Sequence, residues 1–375
     1  MPELRLYDRS RVTCDWRCER MRFYQYEWNG RGIVTSNTYL ELYLGTLVHD
    51  GLAAIAHQHE TGAVDIDAVA DSARDQMVKS LLAQTSGEVE DLNFANEQGA
   101  LVEGLLRGFY RHVWPRLMAQ YPKILMIEQE LIYNHDGLTF MVKPDLVLED
   151  AEGSVWYIEF KSTSSKNEGW VEGWATAVQL HSSLRAIQAA LGRPVTGVIV
   201  QGLYKGYISY NKQNSPFCYA YQRKGTPPFS KDETSYEYKA GFKRYPTREM
   251  PGGVKAWVEG MPEDVLANQF PQTPPIFVKD HLLDAFFRQR AIREGEIESS
   301  VELLEGADED YRKHILDATF PQKFDQCHPY FGKACAYLRL CHSDVPDPLT
   351  SGFQYRVPHH LPELEQQKEL DASRL

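Results

Sequence analysis

The stretch VKPDLVLEDAEGSVWYIEFKSTSS, residues 142 to 165, sets Asp145 near the start of one β-favouring run, Glu159 near the end of the next, and Lys161 two residues beyond. If the two runs pair as antiparallel neighbours, Asp145 and Glu159 fall on one side at the same end of the hairpin. Lys161 then shares the face of Glu159, because side chains alternate along a strand with a period of two. Two carboxylates and an ammonium meet in one patch, with the Phe160 carbonyl available between them. Hard oxygen donors of this kind suit Mg²⁺ or Mn²⁺. A neighbouring lysine can orient an attacking water or offset charge developing on a phosphate. The chemistry this set supports is phosphodiester hydrolysis, although charged residues at strand ends also serve as plain salt bridges, so the surrounding elements matter.

Those elements read as follows. Residues 10 to 60 are expected to be helical, with SNTYLELYLGTLVHDGLAAIA forming a helix capped by Ser36 or Asn37. A polar, mostly helical stretch follows over 65 to 120. Three strands are expected at 124–134, 138–149 and 154–162, joined by turns at 135–137 and 150–153, which makes a β-meander. A helix over 168–192 and the buried run VTGVIVQGLY add a crossover, and hence a mixed sheet flanked by helices. From 205 to about 275 the chain is aromatic and rich in Pro and Gly, and reads as hairpins and loops. A charged helix near 279–305, a compact cysteine-bearing segment at 327–341 and a polar tail after 357 complete it. The expected units are 1–60, a helical insertion at 61–122, a core at 123–204, an insertion at 205–324, a cysteine segment at 325–345 and a tail at 346–375. The fold class is α/β with α+β character.

Composition narrows the function. The 375 residues are 43% hydrophobic and 12% aromatic, which fits a globular chain with a real core. Lys+Arg 40 against Asp+Glu 52 gives a net charge of −12, which excludes the broad basic surface of a constitutive nucleic-acid binder. Any nucleic-acid contact must be local, through metal ions or a basic cluster such as Arg17, Arg20 and Arg22, whose bland alternative is a solvated face. The N-terminal MPELRLYDRSRV has no apolar targeting stretch, and no window approaches a membrane helix, so a soluble, cytoplasmic protein is expected.

With Pro144-Asp145 and Glu159-Phe160-Lys161, the sequence resembles the PD-(D/E)XK nuclease superfamily. Upstream, Gly45-Thr46-Leu47-Val48-His49 looks like the G-x-x-x-H element of RecB-type nucleases, and the resemblance implies His49 as a further metal ligand. Downstream, the helix GWVEGWATAVQLHSSLRAIQAALG sets the bulky Trp170, Trp174, Val178 and Leu184 near one stripe. Glu172, Thr176, Gln179 and Ser183 fall at i, i+4, i+7 and i+11, a polar line suited either to facing a site or to solvent. Gln179 corresponds to the glutamine of the family's Q-x-x-x-Y element; Ser183 stands where the family has tyrosine, a departure that bears on substrate positioning and not on metal binding. The resemblance implies a restriction-endonuclease-like mixed central sheet with a helical N-terminal part.

Six cysteines, at 14, 18, 218, 327, 335 and 341, are too sparse for a disulfide-stapled domain. CHPYFGKACAYLRLC spaces three of them as C-x7-C-x5-C. One N-terminal and three C-terminal cysteines bracketing the core resemble the iron-sulfur nucleases, namely the AddB-type helicase-nucleases and the CRISPR-associated nucleases of the RecB type. The family element of a cysteine followed by basic and aromatic residues fits Cys18 better than Cys14. The resemblance therefore implies a [4Fe-4S] cluster on Cys18, Cys327, Cys335 and Cys341, with Cys14 as the other candidate for the N-terminal ligand. Four thiolates complete such a cluster, and this one would tie the ends of the chain together. His328 and His342 beside cysteines keep zinc as the competing metal, and free buried thiols as the plain alternative. Cys14 and Cys218 read as ordinary thiols.

The resemblance implies metal-dependent hydrolysis of DNA. His49, Asp145, Glu159 and the Phe160 carbonyl would hold one or two divalent ions, Lys161 would assist the water, and Gln179 would orient substrate or Lys161. Attack on DNA ends or single strands, in recombination, repair, replication or defence, is favoured over sequence-specific cutting, since no base-reading element is identifiable. Tyr24, Tyr26 and Trp28 are candidates for base stacking. The alternative is a non-catalytic DNA-binding or complex-forming subunit with a protein partner, against which the intact Asp, Glu and Lys argue.

Overall fold

The computed structural model describes residues 6–35, 40–84, 89–163, 168–205, 221–223, 242–244, 253–260, 263–328, 334–342, 347–358, 360, 363 and 365. The chain opens with strand β1 (Leu6–Tyr7) and helices α1 (Arg9–Arg17) and α2 (Glu19–Arg22), then a π turn, a 3₁₀ turn and β2 (Ile33–Thr35). Helices α3 (Leu40–Thr61), α4 (Ile66–Leu82), α5 (Val89–His112) and α6 (Trp114–Gln120) follow. Next come β3 (Lys123–Ile127), β4 (Leu131–His135), β5 (Leu138–Val142), β6 (Leu146–Glu149) and β7 (Val155–Thr163). Helices α7 (Glu168–Gly173) and α8 (Val178–Leu191) lead to β8 (Val195–Tyr204). Beyond lie β9 (Tyr221–Arg223), β10 (Phe242–Arg244), α9 (Gly253–Glu259), α10 (Glu263–Gln269), α11 (Asp280–Glu305), α12 (Glu309–Thr319), α13 (Leu338–His342) and β11 (Phe353–Tyr355). The cap expected at Ser36 or Asn37 lies outside the described residues.

The central sheet runs β3-β6-β7-β8, antiparallel except for β7 with β8, and a second sheet runs β1-β5-β4. The mixed sheet with flanking helices is the expected one, but the three-strand meander is not. The run at 124–134 divides into β3 and β4, and the run at 138–149 into β5 and β6. Glu128-Gln129-Glu130 and Lys143-Pro144-Asp145 are the reason: they interrupt both apolar runs, and the ribbon bends out of one sheet into the other. The Glu128 N–H donates to the Asp145 carbonyl at 3.0 Å across this bend, with Glu128 at a φ of 45° that few non-glycine residues adopt. The expected turns hold: Asp136 and Gly137 both have positive φ, and the Asp150 carboxylate accepts from the Ser154 N–H at 2.7 Å.

Alternation along the strands separates two cores. Leu146, Leu148, Ile158, Phe160, Ile199 and Leu203 pack against α3, α4 and α5, while Val147, Val155, Tyr157, Val198 and Val200 pack against Leu180, Leu184 and Ile187 of α8. Gly51 lets α3 close on α5, since a Cβ there would stand 2.6 Å from Leu106. The outer edge of β8 is covered by residues 271–276, through bonds such as Ile276 N–H to the Val198 carbonyl at 2.8 Å.

Three local expectations change. The helix over 168–192 is broken: α7 passes into a 3₁₀ turn, and Ala177 is extended before α8 starts. Part of the 205–275 segment is helical, as α9 and α10, with β9 and β10 forming an antiparallel pair. Of the arginine cluster, Arg17 is exposed, but Arg20 and Arg22 are not a solvated or phosphate-tracking face. Arg22 is 1% exposed and sits between Glu27 at 2.8 Å and Glu294 at 2.7 Å, and Arg20 binds Asp317 at 2.6 Å. Arg290 and Arg293 reach Asp15 at 3.3 and 3.0 Å, so α11 is tied to α1 and α2 by buried ion pairs. Tyr26 is buried and Tyr24 stacks on Tyr337, which gives both a packing role.

Candidate metal centre and catalytic site

The bend in the ribbon is where the charged residues gather. Asp145 stands one residue before β6, and the pairing of Leu146 with Ile158 carries it to the level of Glu159 on β7. One Asp145 carboxylate oxygen accepts the Phe160 N–H at 2.7 Å, and the other lies 3.2 Å from Nδ1 of His49 on α3. Glu128 completes this group, with a carboxylate oxygen 3.7 Å from the same Nδ1 and a bond from Lys143. The ligand atoms of His49, Glu128 and Asp145 all lie within 4.8 Å of one another, a spacing that fits the coordination sphere of one divalent cation.

Glu159 lies one step deeper and is fully buried. Lys161 Nζ is 2.7 Å from one of its carboxylate oxygens, to which Gln179 also donates, and the Tyr157 hydroxyl donates to the other. The period of two along β7 puts Tyr157, Glu159 and Lys161 on the face toward α8, and the break at Ala177 starts α8 where Gln179 can reach. Ser183, one turn on, is buried and bears on the Tyr157 hydroxyl. Glu172 and Thr176 lie on the exposed stretch before the break, so the expected polar line does not run along one helix. Lys161 also sits over the Trp174 ring, 5.9 Å from its centroid.

The electrostatics follow from burying acids together. Burial opposes a charge on His49, but Asp145 and Glu128 outweigh it and raise its pKa to about 10. Burial pushes Asp145 up, yet His49, Lys161 and the Phe160 amide together hold its carboxyl below the usual range. Glu159 goes the other way: burial and the Asp145 charge raise it, against the pull of Lys161 and Arg9. Burial raises the nearby Asp50 as well, with Glu128 adding to it. The imidazolium is held by carboxylates in the place a cation would take.

Compared with known families, the sequence matches the model of the PD-(D/E)XK nuclease superfamily across residues 10–342. The chain belongs to the PD-(D/E)XK nuclease superfamily. Its mixed α/β architecture is the restriction-endonuclease-like one that the resemblance implied. Nucleases of this superfamily generally use Mg²⁺ or Mn²⁺, and the donor set of this nuclease fits such an ion. No curated protein sequence matches the chain significantly. Among the described residues no helix is long and apolar enough to cross a membrane.

Of the expected residues, the fold brings His49, Asp145, Glu159, Phe160, Lys161 and Gln179 to one place, with the Phe160 amide in use as a donor. It adds Glu128 and Tyr157, which the sequence reading passed over. The signal for Tyr157 is its period-two spacing from Glu159; Glu128 shows only within a polar Glu-Gln-Glu break in an apolar run, which does not place it beside His49.

Five of the six cysteines lie among the described residues. Cys14, Cys18, Cys327, Cys335 and Cys341 are all free, and the Cys335 N–H donates to the Cys327 carbonyl at 2.7 Å. Burial raises Cys327, Cys335 and Cys341, the last to about 12, and the Cys18 charge adds to each rise. Cys14, in contrast, turns its thiol to Gln25 at 3.6 Å. His342 Nε2 lies 3.8 Å from the Cys327 sulfur. Cys218 lies outside the described residues.

Proposed function

We propose that this protein is a divalent-metal-dependent deoxyribonuclease acting on DNA ends or single strands. The observation that carries the reading is the meeting of Asp145, Glu159 and Lys161 with His49 and Glu128 at the bend of the ribbon. His49, Glu128 and Asp145 would hold an ion, beside Glu159 and the Phe160 carbonyl of β7. When bound, the ion polarises the phosphodiester and lowers the pKa of a coordinated water. Lys161 orients that water and balances charge on the phosphate, and Gln179 and Tyr157 fix the Glu159 carboxylate from either side.

We further propose that Cys18, Cys327, Cys335 and Cys341 hold a [4Fe-4S] cluster of structural role. The Cys14 thiol is turned to Gln25, which supports Cys18 over Cys14. DNA is then the substrate, in a recombination, repair, replication or defence setting with room for a protein partner.

The test is anaerobic purification with iron and zinc quantified, then incubation with 5′- or 3′-labelled single- and double-stranded DNA and Mg²⁺ or Mn²⁺, beside Lys161→Ala. The expected result is iron in the protein and label released by the wild type, with the variant slower by at least about a hundredfold. Binding without cutting by both proteins overturns the enzyme reading in favour of a DNA-binding subunit.

A further inference from the structure

Most basic residues of the N-terminal helices are consumed by the fold. Arg11 donates to the Leu6 carbonyl at 3.0 Å, Arg20 to Asp317 and Arg22 to Glu294. Arg9 is different. It is half-buried, and among the described residues no carboxylate, carbonyl or aromatic ring holds its guanidinium.

Its position is fixed from three sides. Tyr7, two residues earlier, is registered on Phe140 of β5, and the Asp8 carboxylate caps α1 through the Arg11 N–H at 2.6 Å. Val12, one turn after Arg9 on the same face of α1, packs in one apolar cluster with Val178. Val178 precedes Gln179, whose amide holds Glu159. Arg9 is thereby carried to the α8 side of the site, and its charge bears on Glu159.

A guanidinium presents five donors in a planar fork that matches two phosphate oxygens, and it stays charged at any working pH. Half-buried and cationic, it cannot coordinate a metal, and it gains most from an anion. Lys161, whose ammonium is bound to Glu159, is assigned to the water and the scissile phosphate, which leaves a neighbouring phosphate of the strand to Arg9. We propose that Arg9 binds a phosphate of the DNA strand next to the Glu159–Lys161 pair, as a substrate-positioning residue. The proposal rests on the nuclease reading above for the identity of the ligand.

The test uses the full chain with Ca²⁺ and fluorescent single-stranded oligonucleotides carrying either a 5′-phosphate or a 5′-hydroxyl. Binding is measured across a salt series for the wild type, Arg9→Gln and Arg9→Lys, with Mn²⁺ cleavage run in parallel. Arg9→Gln is expected to weaken binding by at least about tenfold and to flatten the slope of log affinity against log salt by about 0.7, the value for one lost contact to a single strand. Its melting temperature should match the wild type, as no contact among the described residues is lost. Arg9→Lys should keep the slope while recovering only part of the affinity, which separates lost charge from lost fold. A loss confined to the 5′-phosphorylated strand assigns the terminal phosphate, and an equal loss with both assigns an internal one. Wild-type affinity and slope in Arg9→Gln on both strands overturn the proposal, as does absence of DNA binding by the wild type. A wild type that binds but does not cut removes the enzyme reading alone, because the salt slope still decides Arg9.

Discussion

Two regions of this protein bury charge, and they balance it differently. Around α11, Arg22, Arg290 and Arg293 face Glu27, Glu294 and Asp15, so each guanidinium has a carboxylate and the sum is closed. At the bend of the ribbon, Glu128, Asp145 and Glu159 face Lys143 and Lys161, with Arg9 and Asp50 bearing on them, and His49 stands between Glu128 and Asp145 as an exchangeable positive charge. The first arrangement joins helices from opposite ends of the chain; buried pairs of this kind add little net stability but are costly to break. The second keeps carboxylates close together and leaves the last positive charge exchangeable, which is what a site for a divalent cation requires.

Breaking the closed region should have the larger effect on folding. Glu294→Ala leaves Arg22 and Arg290 without their shared carboxylate in a buried setting, and should cost about 3–5 kcal/mol. Urea unfolding followed by circular dichroism checks this; a midpoint within error of the wild type would show that the network relaxes.

The open region should show itself in pH dependence. His49 has its pKa raised to about 10 by the neighbouring carboxylates. A raised folded value means that its contribution to stability is complete below its ordinary value of 6.5 and is lost as pH climbs to about 10. The melting temperature of metal-free protein should therefore fall across that window, and His49→Gln should flatten the fall. An unchanged slope in the variant would place the titration elsewhere.

The contrast also explains what could be read from sequence. Asp145, Glu159 and Lys161 were legible because strand pairing and a period of two are local rules, and the observed register of Leu146 with Ile158 follows them. Glu128 was not, because its closeness to His49 depends on a bend that sends one ribbon into two sheets. Arg22 was misread as surface since a run of arginines looks the same whether its acids are in water or, like Glu294, some 270 residues away in the chain. The break in the helix expected over 168–192 has no signal in WATAVQL, which holds neither Gly nor Pro, yet the stop at Ala177 is what delivers Gln179 to Glu159. Sequence periodicity reported the elements; the partners that cross between them were set by packing.

The most direct measurement is calorimetric titration of Mg²⁺ and Mn²⁺ into metal-free protein at pH 8, in buffers of different ionisation heat, for the wild type, Glu128→Gln and Asp145→Asn. Saturable binding that releases a proton from His49, weakened in Glu128→Gln and lost in Asp145→Asn, is the predicted result. Equal heats in all three proteins, or binding without proton release, would contradict a metal centre at the bend.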